Sequence, residues 1–128
     1  MNSLKPQQLL RIDALAGALG GLVVLSLSPF LAELTRVSRP ILFVQASCGF
    51  LYAAAALFFS ANATRAPRFL KVMSLANAGY ASLSVLLMLW LWSAITNWGV
   101  IYFCIEATII FSLAVIEWRT AAVTSEAH

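Results

Sequence analysis

Charge is scarce in this chain. Of its 128 residues only 10% are Asp, Glu, Lys or Arg, where a soluble domain carries about 25%. The basic residues form no run and no helical stripe, so nucleic-acid binding lacks its electrostatic footprint. The two cysteines, Cys48 and Cys104, lie inside apolar stretches and belong to no CxxC pair. They report no redox compartment and read as small apolar residues, although their similar depths would allow a helix-to-helix disulfide. Metal-ligand clusters, nucleotide-binding loops and nucleophile–base pairs are all missing. No metal and no cofactor is therefore expected, and a membrane enzyme is the least favoured class.

Apolar surface is what the chain has in excess. Hydrophobic residues make up 62%, against roughly 45–50% in soluble proteins. A water-soluble fold of this size cannot hide that much, because small domains bury only part of their surface. A membrane helix needs about 20 mostly apolar residues, and four stretches qualify: Leu9 to Ala32, Pro40 to Ser60, Phe69 to Trp92 and Trp98 to Trp118. The runs are too long, and alternate too little, for barrel strands. The breaks are short and polar. Pro40 suits a helix first turn, Asn62, Thr64 and Pro67 mark a loop and restart, and Thr96 or Asn97 can cap the fourth helix. Short loops make successive helices antiparallel neighbours. The expectation is one all-α domain over 1–128, an integral-membrane, four-helix up-down transmembrane bundle. A cleaved signal peptide is the alternative for the first span, with Lys5 and Arg11 as its basic region. It is disfavoured by Asp13 and by the length of the apolar run.

Orientation follows from loop charge. Lys5, Arg11, Arg65, Arg68, Lys71 and Arg119 fall on the side of the termini and the second loop, while only Arg36 and Arg39 fall on the other. This bias places both termini in the cytoplasm, with a bacterial inner membrane as the setting. Trp90, Trp92 and Trp98 would then form an outer aromatic belt and Trp118 an inner anchor. The sequon Asn62-Ala63-Thr64 falls on the cytoplasmic side and is not expected to matter.

Helices in lipid associate where small residues permit close approach. Gly17, Gly20 and Gly21 in the first span and Gly49 in the second are the helix-packing candidates. They serve contacts within the bundle or, with Gly17 and Gly21 at GxxxG spacing, a homodimer seam. Ser28-Pro29 reads as the first helix finishing at the interface rather than as a kink.

The remaining signal is polar groups in the apolar layer. Asp13 and Glu117 lie near span ends beside Arg11 and Arg119, and the four are expected to form an ion cluster at the cytoplasmic end. Glu106 lies about 12 Å inside its helix, near the middle of a hydrocarbon core roughly 30 Å thick. A carboxylate there must be protonated, paired or wet. Counting along the helices places Asn77 level with it, so Asn77 is its expected partner. Tyr80, Tyr102 and Tyr52 would complete a ligand or proton site. Ser74, Asn77, Ala81 and Ser84 share a face of the third helix, as Gln45, Cys48, Gly49 and Tyr52 do on the second.

Two readings of that interior stand side by side. In one, Glu106 and its partners only hold the helices together. In the other, the protein binds or conducts a small solute, ion or proton through this polar site. A different class remains open as well, a non-enzymatic accessory or scaffold subunit of a larger membrane complex. The expected partners are the lipid bilayer and either a second copy or other membrane subunits, and no nucleic acid.

Overall fold

All four prolines fall in the first turn of a helix, where a missing N–H and a fixed φ cost nothing. They punctuate the computed structural model, which describes residues 4–126. Five helices result: α1 (Pro6–Ser26), α2 (Ser28–Thr35), α3 (Arg39–Ser60), α4 (Ala66–Trp90) and α5 (Asn97–Glu126). Four of them, α1, α3, α4 and the Asn97–Thr124 portion of α5, are long and apolar enough to cross a membrane.

Two boundaries differ from expectation. The first stretch does not finish at Ser28-Pro29. It bends at Leu27 (φ −97°, ψ 9°) and continues as α2. Proline removes one i→i−4 bond and crowds the carbonyl behind it, while Leu27 N–H to Val23 O and Leu31 N–H to Leu27 O, 2.9 and 2.8 Å, keep the chain helical on both sides. At the other end α5 runs well past Trp118 to Glu126. Ala121 is fully buried there against Leu9, Leu10 and Leu70, so packing extends the helix beyond its apolar window.

Thr96 ties the α4–α5 turn to α2. Its hydroxyl donates to Leu34 O at 2.6 Å and accepts from Gly99 N–H at 3.3 Å, and its own N–H reaches Thr35 O at 3.1 Å. One threonine thus caps the start of α5 and satisfies carbonyls at the end of α2. Gly99 must be a glycine, since a Cβ would stand 2.8 Å from Thr35 O.

The long helices pack as two antiparallel hairpins, α1 with α3 and α4 with α5. In the first, backbones touch. A Cβ on Gly17 would lie 2.9 Å from Gly49 O, one on Gly49 2.9 Å from Gly17 O, and one on Gly21 3.0 Å from Ala46 O. These glycines therefore close the α1–α3 interface. Gly20 does not take part, because it faces open space. Lying between Gly17 and Gly21, it turns away by the helical period. In the second hairpin, Ser74 Oγ donates to Ala114 O at 2.6 Å and pins the register.

Between the hairpins the packing is of another kind. α3 and α5 bring no backbones together among the described residues, and their long polar side chains bridge the gap. Apolar clusters close both ends of this seam. Leu9, Leu10, Ala56, Leu70, Met73 and Ala121 fill the end nearest the termini, and Val37, Leu42, Met88 and Phe103 fill the opposite end.

Candidate functional site

The seam holds two polar levels between those apolar ends. Nearer the termini are Asp13 of α1, Tyr52 of α3, Asn77 of α4 and Glu117 of α5. Tyr52 Oη donates to Glu117 Oε1 at 2.8 Å and has a longer contact, 3.4 Å, to Asp13 Oδ2. Asn77 Nδ2 donates to Tyr52 Oη at 2.7 Å and faces both Glu117 oxygens at 3.0 and 3.1 Å. Asp13 and Glu117 are 1% and 0% exposed, so neither reaches solvent. Asp13 Oδ1 is buried with no hydrogen-bond partner.

The second level lies toward the α4–α5 turn. Tyr80 Oη donates to Glu106 Oε1 at 2.8 Å and Gln45 Nε2 to Glu106 Oε2 at 3.2 Å. Tyr102 Oη donates to Gln45 Oε1 at 3.1 Å. Glu106, Tyr80 and Tyr102 are half-buried. None of these bonds joins one level to the other. Glu106 and Glu117 are eleven residues apart on α5, about 16 Å along its axis and close to three whole turns, which is why one helix presents a carboxyl to each level.

Asn77 is not the partner of Glu106. Tyr80, one turn nearer the α4–α5 turn, is level with Glu106, and Asn77 bonds Glu117 and Tyr52 instead. The two counts start from opposite faces. About 12 Å from each side of a core of about 30 Å leaves the residues roughly one turn apart. Counted from their shared turn, Tyr80 and Glu106 are level. The ion cluster of Arg11, Asp13, Glu117 and Arg119 does not form. Arg11 and Arg119 are exposed while the two acids are buried. Residues two apart on a helix point in opposed directions, so Arg11 cannot follow Asp13 inward, nor Arg119 follow Glu117. Tyr52 belongs with this acid pair rather than with Glu106.

Gln45 was overlooked as a ligand of Glu106. Its signal was present: a buried amide in an apolar span, seven residues and so two turns from Tyr52 on the same face. Cys48 and Cys104 are exposed free thiols. Among the described residues no group of His, Cys, Asp and Glu could hold a metal ion, and no basic side chain joins either network.

What the site can do follows from its inventory. It offers three carboxyls that can take up a proton, three phenols that can relay one and two amides that orient them by hydrogen bonds, in surroundings that exclude bulk water from the acid pair. Comparison of the chain with protein families, with curated proteins and with solved structures finds no match. The class that fold and site define is thus a helical bundle of four membrane-length helices with an acidic, tyrosine-rich seam.

Proposed function

We propose that this is a small polytopic inner-membrane protein that binds and conducts a proton or small cation through the polar seam between its hairpins, with both termini in the cytoplasm. The supporting observation is the seam itself, three carboxyls bonded to tyrosines and amides with no basic side chain among them. In lipid an ionisable side chain is costly, and its retention inside a bundle marks an ion or proton path. The length of α1 suits that setting: its 21 residues span about 31 Å, matching a hydrocarbon core of about 30 Å. Trp90, Trp92 and Trp98 are all exposed near the α4–α5 turn, as an outer interfacial belt would be, and Trp118 lies 5.9 Å from the Lys71 ammonium as an inner anchor.

A proton needs hydrogen bonds rather than volume. Each level supplies them within itself, and passage between the levels and past the apolar ends requires movement or entering water. The groove between α4 and α5, lined by Ser74, Phe111, Ala114 and Trp118 among others, opens on the outside. A larger solute would require a homodimer to enclose it. Glu106 is the central acceptor, held by Tyr80 and Gln45, with Tyr102 orienting Gln45.

The test is passive flux in liposomes containing the purified protein and a pH-sensitive dye inside. An imposed acid gradient is expected to acidify the lumen faster than in empty liposomes. Glu106→Gln, which keeps the shape and most hydrogen bonds, should return the rate to that of empty liposomes. Wild-type flux no greater than the empty-liposome leak contradicts the reading. The half-burial of Glu106, Tyr80 and Tyr102 favours a second reading, an accessory subunit whose partner helix covers this level. Absence of flux together with stoichiometric copurification of another membrane subunit would select it.

A further inference from the structure

Asp13 is the least satisfied polar group of the described chain. No amide or hydroxyl reaches its buried Oδ1, its Oδ2 has only the 3.4 Å contact from Tyr52, and the Glu117 carboxyl stands beside it within direct interaction range. Glu117 is the opposite case. Tyr52 and Asn77 direct donors at both of its oxygens, at 2.8, 3.0 and 3.1 Å. A phenol has a single proton to give, and the shorter contact shows that Tyr52 gives it to Glu117. The titratable groups facing Asp13 are Tyr52 from α3 and Glu117 from α5, while α4 adds the neutral Asn77. Arg11 on its own helix turns to the exposed surface.

We propose that the Asp13–Tyr52–Glu117 chain is a proton-loading site, in which Asp13 carries one exchangeable proton and Tyr52 relays it to Glu117 across the seam between the hairpins. The assignment deepens the proton-conducting reading above and rests on it. It also gives Asp13 a hydrogen bond to donate. A protonated Asp13 Oδ2 donates to Tyr52 Oη, which has lone pairs for Asp13 and Asn77 together, and Tyr52 still donates to Glu117. A buried carboxylate in the place of Asp13 would have no donor of its own, at a cost that buried charges do not bear unpaired.

The transfer balances without any other reactant. The Asp13 proton moves to Tyr52 Oη as the Tyr52 proton moves to Glu117 Oε1. Asp13 is left as carboxylate, Tyr52 as neutral phenol and Glu117 as carboxylic acid. The 3.4 Å separation is the long step, and it must shorten before the proton passes. Asp13 and Tyr52 belong to one hairpin, so side-chain rotation within it closes that distance, whereas the 2.8 Å Tyr52–Glu117 bond is the step that crosses to the other hairpin.

Asp13 is the sole aspartate of the chain, which permits a test without substitution. Infrared spectra of the Glu106→Gln protein in lipid, grown with carboxyl-13C aspartate, report whether Asp13 is protonated. The expected result is a protonated-carboxyl C=O band at neutral pH that moves to lower frequency with the labelled aspartate and on exchange into heavy water. The band should be lost reversibly at alkaline pH and shifted by Tyr52→Phe. A band unmoved by labelled aspartate, or no such band at all, overturns the assignment. Loss of the band on adding sodium at constant pH also overturns it, because the ligand would then be an alkali cation. Flux without an Asp13 band defeats this inference alone, whereas an exchangeable Asp13 band without flux leaves the loading site standing and defeats conduction.

Discussion

Gly17→Leu is expected to destabilise the protein strongly and lower its melting temperature, and Gly20→Leu to leave it nearly unchanged. A Cβ at Gly17 would stand 2.9 Å from Gly49 O and 3.4 Å from Ala53 Cβ. The nearest atom is backbone of a helix that cannot move without parting from α1. Overpacking usually costs about 1–3 kcal/mol, and a collision with fixed backbone falls at the top of that range or above it. Net stabilities of about 5–15 kcal/mol leave little reserve for such a loss. At Gly20 nothing lies within 4 Å, so its change should stay within about 0.5 kcal/mol. Thermal melts of the two variants in mild detergent decide it. Equal melting temperatures would contradict the backbone contact between α1 and α3.

The second large effect is an asymmetry between the paired acids. Glu117→Ala takes away the main acceptor of the Tyr52 hydroxyl and of one Asn77 amide proton. It leaves Tyr52 only its 3.4 Å contact to Asp13 and Asn77 only its bond to Tyr52. Each unsatisfied donor costs about 1–3 kcal/mol, with a cavity added. Asp13→Ala removes an oxygen that no amide or hydroxyl reaches, another with a single long contact from Tyr52, and an acid that crowds Glu117, so it should cost clearly less. Hydrogen bonds between membrane helices average only about 0.6 kcal/mol because the unfolded chain in lipid also finds partners. A difference well above that value is the mark of stranded donors rather than of one lost bond. Chemical or thermal unfolding of both variants checks it, and an Asp13→Ala loss equal to or greater than that of Glu117→Ala contradicts the geometry.

Much of the architecture was legible in the residues, because length and apolar composition decide whether a helix can cross a membrane. The prolines and Thr96 mark helix starts for local reasons that need no tertiary knowledge. Leu27 shows where local reasoning stopped: Pro29 licenses either a stop or a bend, and only the packing of α2 on the start of α5 selects the bend. The polar residues were visible one by one, but their partners were not. Partnership depends on the relative height of neighbouring helices, which the α4–α5 turn sets. A count from opposite ends misses it, and a count from the shared turn puts Tyr80 beside Glu106. Placing Asp13 and Glu117 with Arg11 and Arg119 came from treating nearness along the chain as nearness in space. The two-residue spacing itself argues otherwise, since it puts acid and base on opposed faces.

The central claim is that these acids are compensated by one another and by tyrosine and amide groups inside the bundle, not by headgroups or water. Cysteine accessibility tests it most directly. With Cys48 and Cys104 changed to serine, single cysteines are placed at Arg11, Asp13, Glu117 and Arg119 and exposed to a membrane-impermeant maleimide on the side of the termini. The account predicts rapid labelling of Arg11→Cys and Arg119→Cys and none of Asp13→Cys and Glu117→Cys in the folded protein. Labelling of Asp13→Cys or Glu117→Cys as fast as that of the arginine positions would contradict it.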